Sequence, residues 1–277
     1  ERYVLRISRP GKHTLEEVRS EMAWLSALRR DTALVVPEPV ATRDGALAQM
    51  FATEGVPEAR ICVLLRWVEG RFLNARLAPQ HLHRVGAFTA RLHDHAAAFA
   101  PPAGFTRGRV ARVDAAWETV TLQRVAAARP RGDVALMRAT IQQIRATLDS
   151  LSQDPAVYGL LHADLHQENY LFHRPEVRAI DFDDCAFGHH LYDLSVTLSE
   201  VEHHANFAAL RAALLSGYRA VRPLPDGHDM ALPALIARRR IDLIMWLIDS
   251  REHPGFHDRW GPDVTEELRR LRAFANR

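Results

Sequence analysis

The chain has 277 residues, 47% of them hydrophobic and 25% charged, with a net charge of +2 and two cysteines, Cys62 and Cys185. That length accommodates two modest lobes of an ordinary globular protein, and it excludes a disulfide framework, so a reducing cytoplasm is the expected setting. No apolar run approaches the length of a membrane span, no signal-peptide pattern opens the sequence, and no basic stripe interleaved with aromatics suggests nucleic acid.

Residues 2–8 (RYVLRIS) alternate and predict a strand. Because a strand begins so close to Glu1, a further segment N-terminal to it is expected. A turn at Pro10 and Gly11 leads into a helix whose N-cap is Thr14, with Glu17 completing a capping box and Leu15, Val18, Met22, Leu25 and Leu28 forming its apolar stripe. Residues 35–40, 46–53 and 61–68 read as further strands, separated by turn signals at Asp44-Gly45 and Gly55. Beyond Glu69 and Gly70 the pattern turns helical, over residues 80–99, 113–128 and 133–151. After an interruption it resumes over 191–204, 206–220, 231–249 and 263–275. These readings divide the chain into residues 1–68, a strand-rich lobe with one helix, and residues 69–277, a helical lobe, with a hinge at Trp67 to Gly70.

The interruption holds the chemistry. Residues 151–200 carry nine acidic and two basic side chains, a net of −7 in a chain of net +2. Two short apolar runs, Tyr170 to His173 and Val177 to Phe182, predict a hairpin. Asp164 and Asn169 precede the first run, and Asp181, Asp183 and Asp184 close the second. Carboxylates crowd in this way only with a cation or proton to offset them, and a set of oxygen ligands suits Mg²⁺ better than zinc. Phosphoryl transfer from a nucleotide needs a carboxylate to orient the acceptor hydroxyl, oxygen ligands for Mg²⁺ and a cation on the phosphates. Asp164 suits the first task, and Asn169 and Asp181 reach one metal from two sides of the hairpin.

The stretch HADLHQEN, followed twelve residues later by IDFDD, resembles the aminoglycoside phosphotransferase family, which includes choline kinases, bacterial homoserine kinases and a stress-response protein kinase. The resemblance covers essentially the whole chain from Arg2. It implies an α+β, bilobal protein-kinase-like fold, with a small, mostly antiparallel sheet lobe and a larger helical lobe that carries a catalytic β-hairpin. It implies ATP and Mg²⁺ as cofactors, with Asp164 as the catalytic residue, Asn169 and Asp181 as metal ligands, and His162 and Asp193 as structural support. The residues alone make Asp193 a helix cap. More weakly, the resemblance extends to Arg6 and Glu21 as the ion pair on the nucleotide phosphates, and to Arg66, Trp67 and Val68 as the segment that meets adenine.

Four departures stand out. An arginine, Arg6, replaces the usual strand lysine while keeping the charge. No Gly-rich phosphate loop precedes it, so either that loop lies N-terminal to Glu1 or nucleotide binding is impaired. Asp183 stands where protein kinases have glycine, a candidate substrate or metal contact, and only twelve residues separate Asp181 from Asp193. So short a segment leaves little room for an activation loop and favours a small-molecule hydroxyl acceptor such as an amino alcohol, amino acid or aminoglycoside. The alternatives are a Ser/Thr protein kinase of the stress-response type, a nucleotide-binding protein without transfer activity, and a metal-dependent hydrolase built on His162, Asp164 and His166. For the last, the pairs His189-His190 and His203-His204 fall on predicted helices, where adjacent side chains diverge by about 100°. Cys185, beside three aspartates, is expected to have a raised pKa and no nucleophilic role. Acceptor contacts are expected from residues 100–130 and the C-terminal helices, with Trp117, Trp246 and Arg251 as candidate walls. Nothing in the sequence sets the oligomeric state.

Overall fold

The computed structural model describes residues 1–73, 76–253, 255 and 260–276. In chain order its elements are β1 (Tyr3–Ile7), α1 (Leu15–Asp31), β2 (Pro39–Val40), β3 (Gln49–Phe51), β4 (Arg60–Arg66), α2 (Pro79–Ala98), α3 (Ala115–Ala128), α4 (Arg131–Asp149), β5 (Tyr158–Leu161), β6 (Tyr170–His173), β7 (Glu176–Ala179), β8 (Ala186–His189), α5 (Leu191–Val201), α6 (Phe207–Arg219), α7 (Leu232–Asp249) and α8 (Trp260–Ala275). They form two compact units, Glu1–Val110 with Tyr158–Leu224, and Ala111–Val157 with Pro225–Arg277.

The first unit opens with an antiparallel sheet built on β4, which pairs β1 along one edge and β2 and β3 along the other. β4 alternates as its sequence demands, with Ile61, Val63 and Leu65 turned inward. Its partners β2 and β3 are shorter than the apolar runs suggested. Pro37 and Pro39 lack the amide hydrogen a ladder needs, so pairing there shrinks to two residues. α1 starts as its capping box requires, with Glu17 N donating to Thr14 Oγ1 at 3.1 Å and Thr14 N to the Glu17 carboxylate at 2.8 Å. Val18, Met22, Leu25 and Leu28 are fully buried on its inner stripe.

The hairpin β6–β7 turns through Arg174, at φ +55°, and Pro175. β7 stops at Ala179, short of the expected Phe182, because Asp181 adopts a left-handed φ of +60° that ends the extended run. The pairing of β5 with β8 was not foreseen. It sets Tyr158 opposite His189 and Leu161 opposite Ala186, and so moves His189 from the expected helix to a strand end and His190 to the N-cap of α5. Four residues with two apolar side chains give no periodic signal, and only the distant partner strand makes them extended.

α2 and α6 cross at two glycines. A Cβ on Gly86 would lie 2.0 Å from Leu214 O, and one on Gly217 would lie 1.8 Å from His83 O. The second unit is a group of helices, α3, α4, α7 and α8, around a core that includes Leu122, Val125, Met137, Ile141, Ile144, Ile241, Ile244, Val264, Leu268 and Leu271. Among the described residues no helix is long and apolar enough to cross a membrane.

Candidate active site

The loop between β5 and β6 is held by its own polar side chains. Asn169 Nδ2 donates to Asp164 O at 2.9 Å and to Asp164 Oδ2 at 3.0 Å. Both amide hydrogens being committed this way, Asn169 Oδ1 is the atom left to face a cation. His162 is fully buried, and its Nδ1 accepts from Asp164 N at 3.3 Å. Its Nε2 therefore carries the proton and donates to Ile180 O at 3.0 Å. Ile180 N in turn donates to Asn169 O at 2.9 Å, so the residue ahead of Asp181 is bonded to both His162 and Asn169. Asp164 and Asn169 are thus in contact, and the Ile180 backbone bond sets the Asp181 backbone beside their loop. With both nitrogens engaged, His162 is no metal ligand, which removes the hydrolase cluster. His166 Nε2 lies 3.5 Å from Asp164 Oδ2.

Two residues of this loop system, Ala163 at φ +68° and Asp181 at φ +60°, are non-glycine residues in the left-handed region. Each costs about 1–2 kcal/mol and persists only where neighbours over-determine it. Among the described residues no ion pair reaches the exposed Asp181 carboxylate. An unpaired carboxylate and an amide oxygen are hard oxygen donors of the kind Mg²⁺ takes, so the residues present fit that ion.

A cleft of about 510 Å³ lies between the sheet and the hairpin, lined by Val4, Arg6, Glu21, Trp67, Val68 and Asp181 among others. Arg6 and Glu21 meet there in a bidentate pair, Nη1 to Oε1 at 2.7 Å and Nη2 to Oε2 at 2.5 Å. Burial pushes Glu21 upward against the pull of Arg6, while Glu21 holds the guanidinium above its ordinary value in spite of burial. Arg66, Trp67 and Val68 all line the cleft, yet the Arg66 guanidinium is engaged by Glu1 and Glu38. Arg66 N and Trp67 N donate to Glu38 O and Arg2 O, whereas Val68 N makes no backbone hydrogen bond outside regular elements among the described residues.

Asp183 is neither solvated nor open. Lys12 Nζ lies 2.5 Å from its Oδ2 and 3.1 Å from Asp184 Oδ1, His13 Nε2 lies 3.2 Å from its Oδ1, and Arg6 lies 3.7 Å away. Burial would raise Asp183, but His13, Lys12 and Arg6 together hold it well below the usual carboxylate range. His13, Asp183 and Asp184 also have metal-ligand spacing, but the Lys12 ammonium already offsets their charge. Cys185 is pushed far up, by burial before any neighbouring charge.

Asp193 is not the cap of α5; it lies in that helix's first turn, fully buried. Its carboxylate accepts from His162 N at 3.0 Å and Ala163 N at 2.7 Å, and meets His93 Nε2 at 3.0 Å. His93 Nδ1 is 2.9 Å from the Tyr218 hydroxyl. Burial pushes Asp193 up to about 6 and His93 down to about 3. Sequence reasoning missed His93, Tyr218, Lys12 and Arg107. A histidine on the apolar stripe of a predicted helix was the available signal for the first, and being the chain's one lysine for the third; Tyr218 and Arg107 had none. Trp117, Trp246 and Arg251 belong to the second unit, where the Arg238 guanidinium lies 4.0 Å over the Trp117 ring.

Residues 1–230 match the family described as "Phosphotransferase enzyme family". The homoserine kinase of Neisseria meningitidis serogroup B is 29% identical over 222 residues, 78% of this chain and 67% of that protein. That of Gluconacetobacter diazotrophicus is 32% identical over 230 residues, 79% of this chain and 66% of its own. Among solved structures, a microcompartment-associated aminopropanol kinase has a TM-score of 0.80 at 28% identity, covering 99% of this chain and 83% of that one. Amicoumacin kinase in complex with AMP-PNP and Ca²⁺ shares the fold, with a TM-score of 0.81 at 21% identity, covering 97% of this chain and 81% of that one.

Proposed function

The chain belongs to the phosphotransferase enzyme family and is a kinase of small-molecule hydroxyls, and from that premise we propose that it transfers the γ-phosphoryl group of ATP to an amino alcohol or hydroxy amino acid. The supporting observation is the Asp164–Asn169 pair, tied through Ile180 to an exposed Asp181 carboxylate that lines the cleft with Arg6. In this reading residues 1–68 are the nucleotide-binding lobe and residues 69–277 the catalytic and substrate lobe. Asp164 orients the acceptor hydroxyl and takes its proton, its own rotamer fixed by the Asn169 amide. Asn169 Oδ1 and Asp181 hold Mg²⁺. When bound, that ion neutralises charge on the nucleotide phosphates as the phosphoryl group leaves. Arg6, oriented by Glu21, binds the phosphate tail, and Trp67 and Val68 meet the base, with the Val68 amide as the hinge donor. His162 and Asp193 fix the loop from behind.

The net charge of −7 over residues 151–200 favours a cationic acceptor. Homoserine and aminopropanol, named for the similar kinases, each carry an amine and a hydroxyl. The test is ATP consumption over a panel of homoserine, 1-amino-2-propanol, ethanolamine, choline and aminoglycosides, with protein substrates as a separate arm. Turnover confined to the amino alcohols and amino acids is the expected result; phosphorylation of proteins alone overturns it. Asp164→Asn should lower kcat by about 10²- to 10⁴-fold with AMP-PNP affinity retained, and full turnover in that variant would remove Asp164 from its role.

A further inference from the structure

Residues 183–185, shortly after the proposed metal carboxylate, are gripped from two places in the first unit. Lys12, in the turn between β1 and α1, binds the side chains of Asp183 and Asp184. Arg107, in the segment after α2, binds main chain only, with Nη2 donating to Asp183 O at 2.5 Å, Nε to Cys185 O at 2.5 Å and Nη1 to Glu17 O at 3.1 Å. One guanidinium therefore ties this loop to the first turn of α1, the helix that supplies Glu21. Phe182 packs its ring against Trp24 of α1 at 5.5 Å and against His162 at 4.4 Å.

These contacts bear on Asp181. A non-glycine residue in the left-handed region stays there only while its flanks are fixed. On its N-terminal side Ile180 is bonded to His162 and Asn169; on its C-terminal side the fixing comes from Phe182 packing and from the Lys12 and Arg107 contacts. Without Lys12, Asp183 and Asp184 would be adjacent like charges, with His13 and Arg6 facing the first of them.

We propose that Lys12 and Arg107 form a latch that positions Asp181 for its metal, Lys12 by neutralising and bridging Asp183 and Asp184, Arg107 by holding the carbonyls of Asp183 and Cys185 onto α1. The proposal rests on the reading of Asp181 as a metal ligand. Neither residue touches nucleotide or acceptor in it, and their effect passes through the loop.

The test measures AMP-PNP affinity of the full chain by calorimetry, once with Mg²⁺ and once in EDTA, with thermal melts to verify folding. In the wild type Mg²⁺ strengthens binding. K12M is expected to lose about tenfold of the Mg²⁺-supported affinity, the scale seen when outer groups that orient a ligand are removed, while its metal-free affinity stays unchanged. K12R restores the increment, and R107M acts in the direction of K12M. Because Lys12 is partly exposed, K12M keeps the test available if R107M fails to fold. A K12M chain that keeps the whole Mg²⁺ increment, loses metal-free affinity in equal proportion, or is not rescued by K12R overturns the latch alone. A wild-type chain with no Mg²⁺ increment overturns the metal reading itself and the latch with it.

Discussion

His93 and Asp193 show how a buried pair stores pH dependence. The unfolded chain protonates His93 near 6.5, whereas the folded chain refuses that proton until about 3. Between those values the unfolded state binds more protons, so this contribution to stability rises with pH and is lost as pH falls below 6.5. Asp193 acts the other way. Its folded value of about 6 exceeds the ordinary 3.8, so the folded state holds the extra proton and stability falls as pH rises through that window. Where the windows overlap the two slopes oppose, which hides both in the wild type. His93→Gln separates them. Urea unfolding should show the wild type more stable than H93Q at pH 7.5, and the gap narrowing as pH falls below 6.5. A gap independent of pH would mean that His93 is already protonated in the fold. Their pairing is not legible in the sequence, since His93 and Asp193 lie 100 residues apart.

At the scale of elements, the crossing of α2 and α6 brings Tyr218 to His93, and it depends on having no side chain at Gly86 and Gly217. A methyl at Gly217 would strike the His83 carbonyl, which as helix backbone cannot move aside. Gly217→Ala should therefore cost at least the ~1–3 kcal/mol typical of overpacking, read as a lower denaturant midpoint; an unchanged midpoint would show that the helices separate freely. In sequence Gly217 reads as a mildly unfavourable helical residue, because a close approach involves a partner the local pattern does not contain. The helices themselves were legible, since their stripes and the Thr14–Glu17 box are local features. The strands β5 and β8 were not, for each is extended only in the presence of the other.

For the whole molecule, the decisive feature is that both compact units are discontinuous in sequence. The second unit's core joins Leu122, Val125, Met137, Ile141 and Ile144 from one segment to Ile241, Ile244, Val264, Leu268 and Leu271 from another. A chain ending at Leu224 would strip α3 and α4 of the helices that cover them. Limited proteolysis of that truncation should cut first within residues 111–157, and protection there equal to the full chain would show that α3 and α4 fold unaided. A sequence pattern reports which face of a helix is apolar and says nothing of which other helix covers it.

The sequence by itself determined the succession of the helices, the start of α1 and the place of the acidic hairpin. Each of these is written within a span of a few turns or one hairpin: Asp164, Asn169 and Asp181 fall within eighteen residues, so chain connectivity alone keeps them near one another. Only the tertiary structure decided what holds that hairpin in working shape. Lys12 meets Asp183 across 171 residues and Arg107 meets the same residue across 76, and pairings at such separations follow from how helices and strands pack, which no local pattern encodes.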